Sequence, residues 1–285
     1  MQRRKVSIGI PASVVSDTPH LREKTSKIGF IGRAAAIFRT DEIVIYPDKP
    51  EKNQTAEINL LTLLLSYIET PQYLRKNLYK LRPELQYAGI LPPLRTPHHP
   101  LQRRIRELRV GEHREGAILS RNNEGVQVDI GVERPALLRN QQLPANGRVT
   151  VKITHVDNHV EVELADRDEI HEYWGYAVTP EKRSFGAFVN GSEFDLVIAT
   201  SKFGIAFKDL KDRIADEWGK AGRVLVAFGS PSQGLQQVVS REGLRLEDIV
   251  DYIVNTIPMQ GTETVRTEEA LVASMAVFSD LVSKA

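Results

Sequence analysis

The sequence has 285 residues, 41% of them hydrophobic, which is enough to build one large domain core or two ordinary ones. Cysteine is absent, which excludes disulfides, a thiolate nucleophile, Cys-ligated zinc and iron–sulfur clusters. The net charge is only +1, but residues 1–110 hold 19 Lys/Arg against 10 Asp/Glu, while residues 111–285 hold 19 against 27. The basic front half predicts a polyanionic partner.

Membrane insertion is not expected. The longest apolar stretch, residues 58–68, is far shorter than the roughly 20 residues that span a bilayer, and no basic segment followed by an apolar one opens the sequence. We therefore expect a cytoplasmic or nuclear protein without a membrane partner.

The first part of the sequence has an α/β pattern. A short strand that ends at Gly9 and Pro11 is predicted at the start of residues 5–15, and a second strand at 42–48, with an Ala-rich helix at 25–39 between them. Thr70 and Pro71 predict the N-cap and first turn of a further helix. The apolar face of that helix would consist of Tyr73, Leu74, Leu78 and Leu81.

The composition changes at residues 88–104, where four prolines between positions 92 and 100 predict an interdomain crossing. Beyond it, three segments with short turns between them alternate strictly between apolar and polar residues: 126–132, 149–153 and 160–164. Short alternating strands at this spacing predict a small β-barrel of the oligonucleotide-binding (OB) kind.

The α/β pattern returns at residue 194. The predicted elements are a strand at 194–200, a helix at 209–220, a strand at 223–228, a helix at 244–254 and a last helix from Thr267. The simplest interpretation is one α/β domain that is made of both chain ends and interrupted by a β-rich insertion. The predicted boundaries are 1–88 and 166–285 for the α/β domain and 89–165 for the insertion.

A glycine-flanked loop, GSPSQG at residues 229–234, follows a predicted buried strand. It lacks the Lys-Ser/Thr ending of a Walker loop and the spacing of a dinucleotide-binding fingerprint. A nucleophile elbow is excluded because that fold needs a histidine after the serine, and the last histidine is His171. A connecting turn without function remains the alternative.

A second stretch, residues 254–274, places Pro258, Gly261, threonines and Arg266 in a loop that leads directly into an apolar helix. Exposed backbone donors and acceptors beside a hydrophobic surface suit an adenine-like ring. A long capped connection is the alternative.

The two stretches, in this order, resemble the cofactor-binding region of the SPOUT methyltransferases, whose C-terminal chain forms a trefoil knot. Together with GIPASVV at 9–15, they more closely resemble the archaeal and eukaryotic branch of RNA uridine N3-methyltransferases. The resemblance implies a trefoil-knotted α/β SPOUT domain interrupted by an OB-like barrel. It also implies a homodimer whose active site borrows residues from the partner.

The resemblance further implies that both loops hold S-adenosyl-L-methionine in a bent conformation. The implied cofactor-binding positions are Thr200, Phe228, Gly229, Ser230, Gly234, Ile257, Met259, Gln260, Gly261 and Thr264.

Three residues are candidates for the chemistry at the acceptor. Arg33 occupies the place of an arginine that acts at the acceptor in many SPOUT enzymes, although a solvated helix arginine is the alternative. Arg33 or Arg266 would stabilise a developing anion, and Glu263 could serve as general base.

An arginine-rich segment precedes the predicted barrel. Residues 95–109 contain five arginines and one acid, Glu107, and we expect them to contact RNA phosphates rather than form a solvated face. The candidate RNA-binding residues are Arg95, Arg103, Arg104 and Arg106.

The histidines do not predict a metal site. His98 and His99 are adjacent and so should splay apart, and His155 and His159 bracket a hairpin turn without further ligands at metal-site spacing.

The predicted activity is S-adenosylmethionine-dependent methylation of RNA by direct displacement, at N3 of a uridine in ribosomal or other structured RNA. Methylation of a pyrimidine C5 is disfavoured because it ordinarily needs a cysteine nucleophile. The alternatives are a ribose 2′-O-methyltransferase and a non-catalytic RNA-binding or assembly factor with the same fold.

Overall fold

The computed structural model describes residues 4–139, 141, 143–144, 146–157 and 159–282, the last without its side chain. These residues form eleven β-strands and seven α-helices. In chain order they are β1 (Lys5–Pro11), α1 (Leu21–Ile37), β2 (Glu42–Tyr46), α2 (Thr55–Glu69), α3 (Arg75–Leu78), β3 (His113–Arg121), β4 (Val126–Asp129), β5 (Ala136–Leu138), β6 (Arg148–Val156), β7 (Val160–Leu164), β8 (Ala177–Pro180), α4 (Phe185–Asn190), β9 (Leu196–Ala206), α5 (Phe207–Lys220), β10 (Arg223–Ala227), α6 (Leu235–Ser240), β11 (Tyr252–Asn255) and α7 (Thr267–Val282). Within the described part of the chain, no helix is both long and apolar enough to cross a membrane.

The chain forms two compact units. The α/β unit contains the described residues of Met1–Ser66, Gln86–Pro92 and Tyr176–Ala285, and the barrel unit contains those of Tyr67–Leu85 and Pro93–Gly175. Contacts thus group residues 67–85 and 166–175 with the barrel, whereas the sequence assigned them to the flanking segments. The predicted boundaries between the methyltransferase domain and the barrel insertion, at 88/89 and 165/166, stay predictions.

The α/β unit is built on a six-stranded parallel sheet with the order β11-β9-β10-β1-β2-β8. Strand β1 lies inside the sheet, and Ile8 and Ile10 are fully buried. Helices α4 and α6 pack together and share a hydrophobic core with one face of the sheet, while α7 contacts α1 and α5. Because a parallel sheet is covered on both faces, its inner strands β1 and β10 are largely buried.

The predicted helix at 244–254 is wrong. Residues Leu246–Asp248 form one 3₁₀ turn, and Tyr252–Asn255 is strand β11, which pairs with β9. The Asp251 carboxylate accepts a hydrogen bond from the Val197 N–H (2.7 Å) where β11 begins. The apolar spacing in this segment fits a helix, but pairing at an open sheet edge satisfies the backbone instead.

The predicted helix that begins at Pro71 is also much shorter than expected. It consists of a 3₁₀ turn, Gln72–Leu74, followed by α3, and Leu81 is fully exposed. Pro83 disfavours helical backbone at the residue before it, and the chain is already extended at Tyr79.

The barrel unit is a closed five-stranded barrel with the order β3-β4-β5-β7-β6. The three alternating segments form β4, β6 and β7, so the prediction of a β-barrel is confirmed. Alternate residues point inward and form its core, including Val128, Val151 and Val162. Strands β3 and β5 were not predicted, because β3 is interrupted by charged residues and β5 has only three residues.

A buried charge network stabilises the barrel unit. Glu69 and Glu115 are 4% and 1% exposed, and Arg148 forms ion pairs with both. Burial alone would raise the pKa of Glu69, but attraction to Arg148 and a hydrogen bond from His98 outweigh it and hold that pKa well below its usual range. Trp174 Nε1–H donates to Glu115. Gly175 adopts a positive φ of 84°, and a Cβ there would lie 2.4 Å from Glu69 Oε1.

His98 and His99 do not splay apart, contrary to the expectation from their adjacency. Their Nε2 atoms lie 3.0 and 2.6 Å from the same carbonyl oxygen, that of Glu69. A shared acceptor therefore brings the rings to 4.3 Å between centroids. Burial, together with repulsion from His98, lowers the pKa of His99 to about 4.

Replacing Arg148 by Met should remove the closest counterion of two buried carboxylates, Glu69 and Glu115, because the remaining arginine, Arg167, lies farther from them (3.4 and 3.9 Å). We expect a loss of about 3–5 kcal/mol in the free energy of unfolding, measured by urea titration. Arg139→Met removes an exposed partner of Glu161 and should change little. Equal stability of both variants would contradict a structural role for the network.

Stability should fall as the pH drops from about 6.5 to about 4, because the folded chain resists protonation of His99 while the unfolded chain accepts it. Well above pH 6.5, His99 is neutral in both the folded and the unfolded chain, so it no longer makes the stability depend on pH. His99→Gln should flatten this part of a stability-versus-pH curve, whereas His159→Gln, at an exposed position, should not.

Candidate active site

A cavity of about 550 Å³ opens in the α/β unit, where the carboxyl ends of β9, β10 and β11 meet. Parallel strands place their carboxyl ends at one edge of a sheet, and the loops that follow them build the site. Both loops singled out in the sequence lie in its wall. The predicted cofactor-binding residues that line it are Thr200, Phe228, Gly229, Ser230, Gly234, Ile257, Gln260 and Thr264.

The other two predicted cofactor residues, Met259 and Gly261, are not among the described residues that line the cavity. Met259 is fully exposed and has a positive φ of 59°. Gln260, between them, does line the cavity and donates from Nε2 to the carbonyl oxygens of Thr262 and Glu263. The loop thus turns at Met259 and directs alternate residues away from the cavity.

The GSPSQG loop is closed by its own hydrogen bonds. The Ser230 N–H donates to the Gln233 carbonyl (2.8 Å), and the Gln233 N–H donates to Ser230 Oγ (3.1 Å). Upstream, the Phe228 N–H donates to the Gly9 carbonyl (2.9 Å), which ties the end of β10 to β1. The loop is therefore a preformed turn on a rigid strand.

Gly229 and Gly234 have different surroundings. A Cβ at Gly229 would lie 3.0 Å from the Gln233 carbonyl oxygen and 3.1 Å from Gly234 Cα, so the turn itself leaves no room. The Gly229 carbonyl also accepts a hydrogen bond from Thr267 Oγ1 (3.0 Å), at the start of α7. At Gly234 φ is −70°, and a Cβ would meet no described atom within 4 Å. Nothing in the described chain therefore requires glycine at 234.

A bulge in β9 forms the third wall of the cavity. Strand β11 pairs with β9 at residues 198–199 and again at 205–206, so residues 200–204 leave the ladder. The bulge brings Ser201, Lys202 and Phe203 into the cavity wall. Sequence reasoning missed all three, because it ended this strand at Thr200.

Among the described residues that line the cavity, Lys202 is the only one with a charged type of side chain. Its ammonium donates to the Glu263 carbonyl (3.3 Å), so it links the bulge to the loop before α7. In the sequence, only the position of Lys202 just after a predicted strand indicated a place in the site, because a single lysine forms no motif.

The predicted catalytic residues lie at different distances from the cavity wall. Glu263 and Arg266 are exposed and flank Thr264, which lines the cavity. The Arg266 N–H donates to the Glu269 carboxylate (3.0 Å) at the start of α7. Arg33 lies half-buried on α1 and is not among the described lining residues.

The candidate RNA-binding arginines belong to the barrel unit. Arg95, Arg103, Arg104 and Arg106 are exposed, and the backbone N–H groups of Arg103 and Arg104 both point at the Glu107 carboxylate (3.3 Å). Among the described residues, no cluster of three or more His, Asp or Glu side chains could hold a metal ion.

A family model described as “Putative RNA methyltransferase” matches residues 5–278 of the chain. The match includes all three walls of the cavity. The chain belongs to this family. The prediction that the protein is an RNA methyltransferase is thereby confirmed.

Curated relatives match over nearly the whole chain. An uncharacterised protein of Halobacterium salinarum is 32% identical over 289 residues, covering 94% of this chain and 96% of its own length. The enzymes named 28S rRNA (uridine-N(3))-methyltransferase of Mus musculus and Homo sapiens are each 30% identical over 303 residues. These alignments cover 96% of this chain and 75% and 77% of the respective relatives.

Placing the same side chain at both loop glycines should separate their roles. Gly229→Asn should lower the free energy of unfolding by roughly 1–3 kcal/mol, because its Cβ meets the turn's own backbone. Gly234→Asn should change it by less than about 0.5 kcal/mol, since asparagine is a favourable helix N-cap. Urea unfolding measures both, and a large loss at 234 would show a contact that this structure lacks.

Proposed function

We propose that the protein is an S-adenosylmethionine-dependent methyltransferase that acts on N3 of a uridine in ribosomal or other structured RNA. The observation that carries the proposal is the cavity at the carboxyl edge of the sheet, walled by the two loops whose sequences resemble the SPOUT cofactor site. The relatives named as uridine-N3 methyltransferases support the acceptor atom.

The cavity fits the proposed cofactor in size and in polar groups. Small-molecule sites commonly enclose about 300–1,000 Å³, and this one encloses about 550 Å³. Gln233 Oε1 is buried in its wall without a hydrogen-bond partner in the described part of the chain, so an acceptor is left for a ligand donor. Open space beside Gly234 leaves room for close approach of a ligand to the backbone.

When bound, S-adenosylmethionine would supply the methyl group: the acceptor lone pair would bond to the methyl carbon in line as the carbon–sulfur bond breaks, with S-adenosylhomocysteine as the leaving group. The protein must hold the acceptor and favour loss of the uridine N3 proton. We assign proton removal to Glu263, and stabilisation of the resulting anion to Arg266 or to Arg33. The exposure of Glu263 and Arg266 beside Thr264 is compatible with contact to a large RNA.

The fold assignment beyond an α/β sheet and a closed barrel is part of the proposal. A trefoil knot is supported by the course of the C-terminal chain, which leaves edge strand β11 and returns to contact Gly229, in the loop after β10. An OB-like barrel is supported by its strand order: counted from β3, the order is 1-2-3-5-4 with closure, and its third and fifth strands are parallel.

A homodimer is supported by the surface of α1. Phe30 and Ile37 are 49% and 59% exposed, and their spacing places them on one face of the helix with Arg33. A second copy packed on this stripe would cover the apolar side chains and bring Arg33 to an interface. A cytoplasmic location also remains a prediction.

Two measurements test the proposed activity. Calorimetric titration should show one S-adenosylmethionine site per chain, lost in Gly234→Asn although that variant stays folded. Failure of the unaltered protein to bind would favour the non-catalytic factor.

Mass spectrometry of RNA nucleosides from a strain that lacks the gene should show loss of 3-methyluridine, restored by the purified protein. Loss of a 2′-O-methyl mark instead would favour the ribose methyltransferase. Loss of a 5-methylpyrimidine would contradict direct displacement, because the chain has no cysteine.

The arginine cluster should contribute to RNA affinity through phosphates. Arg103→Glu, Arg104→Glu and Arg106→Glu together should weaken RNA binding and reduce the slope of log affinity against log salt by roughly one unit for each phosphate that is no longer neutralised. Fluorescence anisotropy across a salt series measures both quantities.

A control of equal charge change tests whether position matters. Lys208→Glu, Lys220→Glu and Arg245→Glu alter exposed residues of the α/β unit by the same net charge. If both triple variants lose the same affinity and slope, the cluster acts only through net charge, and the assignment of Arg103, Arg104 and Arg106 fails.

A further inference from the structure

Phe203 is an exposed aromatic side chain in the wall of the cavity. It is 83% exposed, yet it lines the site with the two cofactor loops. Ligand pockets are lined largely by apolar and aromatic side chains, so an exposed ring in a cavity wall is a candidate ligand contact. In the bulge that carries Phe203, residues 200–204, only Thr200 is among the predicted cofactor-binding residues.

The backbone beneath Phe203 is held in place. Asn255 Nδ2–H donates to the Lys202 carbonyl (3.0 Å), and the Phe203 N–H donates to Ser201 Oγ (3.2 Å). On the other side, Gly204 lies so close to β11 that a Cβ would sit 2.7 Å from the Ile253 carbonyl oxygen. The ring is therefore presented from a fixed position.

The chemistry beside the ring suits a nucleotide. Lys202 Nζ lies 5.1 Å from the centroid of the Phe203 ring. An aromatic face offers a stacking surface to a base, and an adjacent ammonium offers a charge to a phosphate or to an anionic base. A partner protein's apolar surface would bury that ammonium without a counterion, which is costly.

We propose that Phe203 binds the acceptor nucleobase by stacking and so positions the base over the methyl-donor site. The proposal rests on the proposed function and adds a substrate-binding residue to it. It requires an unstacked pyrimidine, as found in loops, bulges and single strands of RNA, because a paired base offers no free face.

Steady-state methylation of bulk RNA from a strain lacking the gene tests the role of the ring. Phe203→Ala should raise the KM for RNA by about 5- to 150-fold, the range that loss of one stacked base implies, and leave S-adenosylmethionine affinity unchanged. Phe203→Tyr, which keeps the ring, should restore the KM to within about threefold. Ile205→Ala, an exposed apolar position on the same strand outside the described lining residues, serves as the matched control.

A fluorescence measurement tests stacking without relying on activity. In Phe203→Trp, a single-stranded uridine oligomer should quench the new indole, whereas an abasic oligomer of equal length should not. S-adenosylmethionine alone should leave it unquenched. Quenching by uridine in a protein that proves inactive would support base stacking while the proposed methylation failed.

Three results would overturn the proposal. An unchanged RNA KM in Phe203→Ala would show that the ring does not contact substrate. Loss of S-adenosylmethionine affinity would assign Phe203 to the cofactor. A change of molar mass in light scattering for Phe203→Ala, absent in Ile205→Ala, would show that a second copy of the chain covers the ring.

Discussion

The parallel pairing of β9 with both β10 and β11 is the constraint on which the candidate site depends. It brings three carboxyl ends to one edge, so that loops far apart in the sequence become three walls of one cavity. The same pairing forces the bulge, since β11 rejoins β9 only at residues 205–206. Without β11, Lys202 and Phe203 would have no fixed place beside the glycine loop.

The interactions that hold this edge together are mostly backbone contacts and short polar links. Thr267 Oγ1 connects α7 to Gly229, Thr200 Oγ1 donates to the Ala227 carbonyl (3.0 Å), and Lys202 reaches the loop before α7. Such contacts fix positions without filling the cavity. The wall is therefore preorganised for a ligand, which lowers the entropy cost of binding.

The barrel unit is stabilised differently, by a buried ion network around Arg148 within a small closed barrel. Buried ion pairs add little net stability compared with apolar packing, but removing one partner is costly. The network therefore makes the arrangement of Glu69, Glu115 and Trp174 specific. Arg95, Arg103, Arg104 and Arg106 of the same unit are exposed and are the candidates for contact with a polyanion.

The α/β class, the barrel and most of the cavity wall could be predicted from the amino-acid sequence, because glycine-rich loops after buried strands and strict alternation are local signals. The methyltransferase family was predicted from the resemblance of these loops to a known family. The sequence placed Phe228, Gly229 and Gly234 in one loop, and the structure has them in one wall. That residues 252–255 form a strand rather than a helix could not be predicted locally, since the hydrogen bonds that stabilise the strand come from β9. The same pairing places Lys202 and Phe203 in the cavity wall. No local sequence pattern predicts this, because a bulge is defined by the strand that pairs on either side of it.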